Sequence, residues 1–191
     1  MINNIKFRLA RPEDKTDVSK LIVQALGDLA LKFVNSQNSA DLIPVIELFF
    51  IEKDNVYSYE NTIVGEDENG IIGSITGYDG DKFVKLRQPF IDYIKKNYAF
   101  NMQIENETSK GEFYIDTISV FPDKQGFGTG SELINKMINY ASKSGHKKIG
   151  LLADKNNTKA KKLYVRMGFE IAGEKILLGH NYEHFVYQCT K

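Results

Sequence analysis

The chain has 191 residues, its 25 Lys and Arg balance 25 Asp and Glu, and 42% of it is hydrophobic. That length suffices for one domain with a sizeable core, and zero net charge excludes an overall electrostatic pull toward nucleic acid or membrane. A lone cysteine, Cys189, excludes a disulfide framework; with no cleavable apolar leader and no long apolar run, a cytoplasmic protein without a membrane partner is expected.

In chain order, "IKFRLA" (5–10) alternates apolar and polar residues as a half-buried strand does. Val18, Leu21, Ile22, Ala25 and Leu29 then share one face of a 3.6-residue period, which predicts a single helix. A second helix is expected from about Asp41, with Pro44 early and Leu42, Ile43, Ile46, Phe49 and Phe50 on its buried side. "NTIVGE" and "GIIGSITGY" are two strands joined by the turn "DENG". Residues 80–110 are less regular, with a short helix opened by Pro89. "FYIDTISV" (113–120) has strong β propensity.

A glycine-rich stretch, "DKQGFGTG" (123–130), separates that strand from a helix carrying Leu133, Ile134, Met137, Ile138 and Ala141 and stopping at Gly145. "KKIGLLA" (147–153) is the next strand, and "NNTKAKKLYVRMGF" a helix capped by asparagine and ended at Gly168. "EIAGEKILLG" and "HFVYQCT" finish as two strands around a turn near residues 179–183. The order predicts one α/β domain over residues 1–191, with an antiparallel first half and one β–α–β crossover.

The glycines fit some phosphate-binding loops and not others. A triphosphate loop needs a lysine after its last glycine; here Ser131, Glu132 and Leu133 follow Gly130. A dinucleotide fingerprint needs a third glycine at 131, which is Ser131, and "FPDKQ" delays the turn after Val120. The pattern Q-x-x-G-x-G does fit, as Gln125, Gly128 and Gly130, with Gly126 at a variable position. Downstream, Asn157 to Phe169 reads N-x-x-A-x-x-L-Y-x-x-x-G-F.

With the opening "FRLARPEDKTDVSKLI", these two ordered motifs resemble the GNAT superfamily of acetyltransferases. The resemblance implies the GNAT-like acyl-CoA N-acyltransferase fold, a mixed and mostly antiparallel sheet flanked by helices. It also implies acetyl-CoA as co-substrate, no metal, and direct acyl transfer in a ternary complex to a small-molecule or peptide amine. The main chain of Gln125, Gly126, Phe127, Gly128, Thr129, Gly130 and Ser131 would then hold the coenzyme pyrophosphate, since glycine allows close approach and the helix N terminus favours an anion. Ile118, Ser119 and Val120 would pair with the pantetheine arm, and Asn157 would cap its helix or contact the coenzyme. Tyr164 is placed as general acid, although Ala160, Leu163, Tyr164 and Met167 also form one packing face. Lys159, Lys161, Lys162 and Arg166 make the same helix basic.

Strand alternation sets Tyr114, Asp116 and Ile118 on one face. Some members of the superfamily that the chain resembles carry a catalytic glutamate on this strand, at about the place of Tyr114. The resemblance makes Asp116, two residues on, the candidate base, relaying through water, with a structural aspartate as the alternative. The segment 80–110 is expected to wall the acceptor site, where Asp79, Asp81, Glu105 and Glu107 would favour a cationic amine; a helix patching the core or a dimer contact is the alternative. A non-catalytic acyl-CoA sensor is the competing function, and monomer and homodimer both stay open. "HNYEH" (180–184) matches an inverted zinc-peptidase pattern, but strand patterns flank it where a helix is required. Cys189 shares a strand face with Phe185 and Tyr187, so it is read as a packing residue.

Overall fold

The computed structural model describes residues 5–189. Among the described residues seven strands form one sheet: β1 (Lys6–Leu9), β2 (Thr62–Asp67), β3 (Gly70–Asp79), β4 (Phe113–Val120), β5 (Lys148–Asp154), β6 (Glu170–Leu177) and β7 (His180–Gln188), in the order β1-β2-β3-β4-β5-β7-β6. Every neighbouring pair is antiparallel except β4 and β5, which run parallel. A parallel pair needs a crossover, supplied here by α5 (Thr129–Lys143). The predicted α/β fold, a mixed and mostly antiparallel sheet with a single crossover, is the fold observed.

Helices cover both faces. α1 (Lys15–Leu26), α2 (Asp28–Val34), α3 (Ile43–Ile51) and α4 (Phe83–Tyr98) bury one apolar layer, which includes Ile22, Phe33, Ile46, Phe50, Phe90 and Ile94. On the other face α5 and α6 (Thr158–Arg166) pack Leu133, Ile134, Met137 and Tyr164 against Ile75, Ile115, Ile149 and Phe185.

Four sequence expectations change. The first predicted helix is two: Gly27 has φ +55 and ends α1, so Ala25 is exposed while Leu29 is buried one helix further on. The segment after β3 is more regular than expected, because α4 spans 16 residues and carries Pro89 in its interior. Proline removes an N–H from the helix ladder; the burial of Phe83, Phe90, Ile91 and Ile94 along one face offsets that loss. Close to the proline, the Leu86 carbonyl accepts the Val56 N–H at 3.2 Å.

The third change concerns the last hairpin, which turns on two residues, Leu178 (φ +48) and Gly179 (φ +81). Two successive positive φ values suit the twist of a hairpin, so residues 180–183 belong to β7 and not to a turn. Thr190, at the end of the predicted strand, lies outside the described residues. The fourth change is a β-bulge. Opposite Thr76 and Gly77 of β3 stand Thr117 and Ile115, leaving Asp116 as an extra residue in β4. A bulge resets the alternation of side chains. Tyr114 therefore packs in the α1–α4 layer, whereas Ile118 packs in the α5–α6 layer, and the single face predicted for Tyr114, Asp116 and Ile118 does not exist.

The base of β4 is held by Glu112, which is fully buried. Its Oε1 accepts the Ser109 N–H at 2.5 Å, and its Oε2 lies 3.1 Å from His184 Nε2. Gly150 makes room for this carboxylate: a Cβ there would come within 2.5 Å of Oε2. Gly150→Ala must displace a buried, hydrogen-bonded acid, and should lower unfolding stability by about 1–3 kcal/mol, read from urea midpoints.

Candidate active site

β4 and β5 are paired only from Phe113 opposite Ile149 to Ile115 opposite Leu151. Beyond that point the strands part, and a cleft of about 1070 Å³ opens between residues 115–120 and 151–154. A strand partner is missing along this edge of β4. The Phe121 N–H bonds to Ile72 of β3, so by alternation the main-chain groups of Ile118 and Val120 turn the other way, into the cleft. Val120 is already partly engaged: its carbonyl accepts Gln24 Nε2 at 3.0 Å and Gln125 Nε2 at 2.9 Å. Gln24 also donates to Ser119 Oγ at 2.6 Å, tying α1 to the end of β4. Gln24 was not singled out in the sequence because its long-range partner is invisible there.

At one end of the cleft stands the N terminus of α5. Gly128 is its N-cap with φ +87, and no side chain caps the helix. The N–H groups of Thr129, Gly130 and Ser131 belong to the first turn and have no intrahelical acceptor; the first closing bond runs from Glu132 N to Gly128 O. These bare donors and the helix dipole make an anion cradle. Gly126, Gly128, Thr129, Gly130 and Ser131 all line the cleft with Gln125, whereas the Phe127 side chain is 78% exposed and does not line it. Gly126, assigned to a variable position in the sequence, has φ +90, while Gly130 sits inside the helix without positive φ.

α6 forms the opposite wall. Asn157 caps it by accepting the Ala160 N–H at 3.0 Å, and also lines the cleft. Lys159 reaches Gln125 Oε1 at 2.8 Å, and Arg166 reaches Ser131 Oγ at 3.4 Å. Lys162 lines the cleft as well, while Lys161 turns away to Glu183 at 2.9 Å. Tyr164 lines the cleft, is otherwise packed against Phe169 and Phe185, and has its phenol pushed up to about 12 by burial. It therefore keeps its proton throughout the neutral range. A packing role and a proton-donating role are compatible at this one position.

Asp116 sits at the bulge, about 13 Å before Val120 along β4 at 3.3 Å per residue. It lines both the main cleft and a smaller cavity behind it. Tyr78 donates its hydroxyl to Asp116 Oδ2 at 2.6 Å. Burial raises the Asp116 carboxyl from 3.8 to about 6, against the lowering effects of Tyr78 and Arg87. Glu107, from the segment between α4 and β4, faces the same small cavity and accepts the Tyr114 hydroxyl at 3.1 Å. Burial first and the Asp116 charge second raise Glu107 from 4.5 to about 8.

Of the other acids expected at an acceptor site, Asp79 accepts the Asp81 N–H, Asp81 the Gly111 N–H and Glu105 the Leu178 N–H. Their oxygens hold loops together, so Glu107 alone among them reaches the cavity with Asp116. Tyr57, Tyr78 and Arg87 were missed in the sequence because only the β3–β4 register and the packing of α4 bring them to Asp116.

His180 and His184 both lie on β7, where four residues span about 13 Å, too far for one ion to bridge as on a helix. Among the described residues no group of three or more His, Cys, Asp or Glu is placed to hold a metal ion. Cys189 is partly buried against the α5–α6 layer, and burial raises its thiol. No helix among the described residues is long and apolar enough to cross a membrane.

The arrangement is a mixed α/β sheet whose strands part beside a bare, glycine-led helix N terminus. Residues 32–169 match the acetyltransferase (GNAT) family, and the chain belongs to that family. An N-acetyltransferase from Staphylococcus aureus Mu50 is similar across 95% of this chain and 100% of its own, at 29% identity and a TM-score of 0.83. A second acetyltransferase of known structure is 27% identical, covering 97% of this chain and 100% of its own with a TM-score of 0.80. An uncharacterized N-acetyltransferase of Methanocaldococcus jannaschii is 35% identical over 74 residues, which cover 39% of this chain and 30% of that protein's length.

Two measurements check this geometry. Left-handed backbone costs a residue with a Cβ about 1–2 kcal/mol, so Gly126→Ala and Gly128→Ala should each lower the melting temperature. Gly130→Ala should not, because its Cβ would meet Leu163 at 3.7 Å, an ordinary contact. The raised carboxyls also fix a sign: their contribution to stability is present below the unfolded pKa and lost as pH rises through about 6 for Asp116 and about 8 for Glu107. Asp116→Asn and Glu107→Gln should accordingly raise the melting temperature, and do so more at about pH 9 than at about pH 5.

Proposed function

We propose that this protein is an N-acetyltransferase that moves an acetyl group from acetyl-CoA to a primary amine within a ternary complex. The observation that carries the reading is one continuous cleft. It holds the bare α5 N terminus, the unpaired edge of β4, Tyr164 and Asp116.

The residues suit such a co-substrate. The first-turn N–H groups of α5 and the positive-φ backbone at Gly126 and Gly128 would receive the pyrophosphate. Lys159, Lys162 and Arg166 supply cationic charge along the same wall. The main chain of Ile118 and Val120 would pair with the amide-bearing arm, and Gln24 and Gln125 keep that end of β4 in place by holding the Val120 carbonyl. The coenzyme would supply the activated thioester; the chain's own task is to position it and to move protons.

An alkyl ammonium has a pKa of about 10.4 and cannot attack until it loses a proton. Asp116 is ionised at neutral pH, faces the cleft and is raised toward the working range, which is what a general base needs. Tyr164 retains its phenolic proton and lies against the cleft wall, fit to donate to the departing sulfur. The acceptor stands as a small molecule or peptide carrying a primary amine.

Turnover of acetyl-CoA with a panel of primary amines tests the reading; no turnover with any amine, despite coenzyme binding, would favour a sensor. In the active case the rate should rise with pH through about 6. Asp116→Asn should lower kcat by about 10²–10⁴-fold and abolish that limb. Tyr164→Phe keeps the packing and should lower kcat without weakening coenzyme binding; an unchanged kcat would remove Tyr164 from the mechanism.

A further inference from the structure

Behind Asp116 the structure places a second carboxyl that the mechanism above does not use. Asp116 and Glu107 both line a cavity of about 30 Å³. Its other polar lining is Arg87 and Tyr57, and Leu26 and Leu29 line both it and the main cleft. A cavity needs roughly 10–15 Å³ and two to four polar partners to hold a water, so this one has the room and the polar lining for water.

Each carboxyl is held in place independently. Tyr78 fixes Asp116 at 2.6 Å and Tyr114 fixes Glu107 at 3.1 Å. The Glu107 main chain is anchored too, because Lys175 of β6 donates to the Glu107 carbonyl at 2.7 Å and to the Thr108 carbonyl at 2.8 Å. Several elements thus place one side chain of the 99–112 segment at the back of the cleft.

The charged and titratable groups facing the pair are few. Arg87 of α4 acts on both acids, and its guanidinium also lies 4.4 Å over the Phe83 ring and donates to the Glu105 carbonyl at 3.0 Å. Lys175 approaches from β6 and Tyr182 from β7; Tyr57, Tyr78 and Tyr114 complete the shell, with Glu112 beyond Tyr114. Two buried carboxyls lining one small cavity cannot both ionise cheaply, even with Arg87 and Lys175 near them.

We propose that Glu107 is a positioning residue for amine deprotonation, passing on through the small cavity the proton that Asp116 removes from the acceptor. The inference rests on the acetyltransferase reading. The ammonium gives one proton to Asp116, which becomes neutral. That proton moves through a bridging water to one oxygen of Glu107, and the proton already on Glu107 leaves from the other toward solvent. Asp116 is thereby ionised again for the next turnover. The balance closes: an ammonium and a thioester give an amide, a thiol and one released proton.

The test uses the full chain and reads two quantities. Infrared titration of the wild type against Glu107→Gln, without substrates, should show a protonated carboxyl at neutral pH that the variant lacks. Kinetics with a turned-over amine should show Glu107→Gln lowering kcat by about tenfold or more, toward the low end of general acid–base effects. KM for either substrate should change by less than about twofold, and in Glu107→Ala, where the lost side chain leaves room, added formate should restore part of the rate. Glu107→Asp, which keeps a carboxyl, should retain more rate than Glu107→Gln.

A Glu107→Gln enzyme that folds normally and keeps the wild-type kcat and pH profile would overturn the proposal. So would a kcat loss that neither formate in Glu107→Ala nor the carboxyl of Glu107→Asp relieves. If the wild type acetylates no amine, the acetyltransferase reading fails on its own, while the infrared arm still decides whether the two acids share a proton.

Discussion

Everything that makes this molecule more than a packed sheet follows from the way β4 leaves its neighbours. On one side the bulge at Asp116 inserts an extra residue against β3; on the other, pairing with β5 stops at Ile115 and Leu151. A strand in a central position normally spends both rows of N–H and C=O groups on its neighbours. Here one row is left along Ile118 and Val120, and the same departure opens the space in which a ligand can use it. The bulge also re-aims side chains: Asp116 turns to Tyr78, Thr117 and Ser119 share the α1 side, and Ile118 goes to the other layer.

The two ends of the cleft are electrostatic opposites. At the α5 end, unsatisfied N–H groups, the helix dipole, Lys159, Lys162 and Arg166 create a region suited to anions. At the Asp116 end, two carboxyls are crowded into a poorly solvated corner with Arg87 nearby, and both are pushed toward neutrality. That polarity would suit a long ligand with an anionic head and an uncharged tail, and it separates the two carboxyls from the bare N–H groups of α5. It costs stability at neutral pH, which the two apolar layers on either side of the sheet offset. Perturbed carboxyls in a cleft are a common mark of a working site.

The segment between β3 and β4 joins these features. α4 closes the apolar layer over α1–α3 with Phe83, Phe90, Ile91 and Ile94, so a helix patching the core describes its first half. Its second half, residues 99–112, delivers Glu107 to the rear of the cleft and Glu112 to the base of β4. The polar atoms of Lys175 and Ser109 hold this irregular stretch in one conformation. An insertion between two strands thus supplies both packing and a titratable group.

The sequence by itself determined the order of most elements, the single crossover, the glycine-led anion loop and the asparagine-capped helix carrying Tyr164. These are local: periodicity, capping chemistry and glycine spacing act within a few residues and can be read there. It also nominated Asp116, though on a strand face that the bulge abolishes. The tertiary structure alone decided which groups surround Asp116. Tyr78 lies 38 residues away in the chain and Gln24 lies 95 from Ser119. No local pattern encodes those distances, because strand register and helix docking set them. The same holds for the acids of the 79–107 region, alike as letters: backbone amides claim Asp79, Asp81 and Glu105, and only packing shows that Glu107 reaches the cavity lined by Asp116.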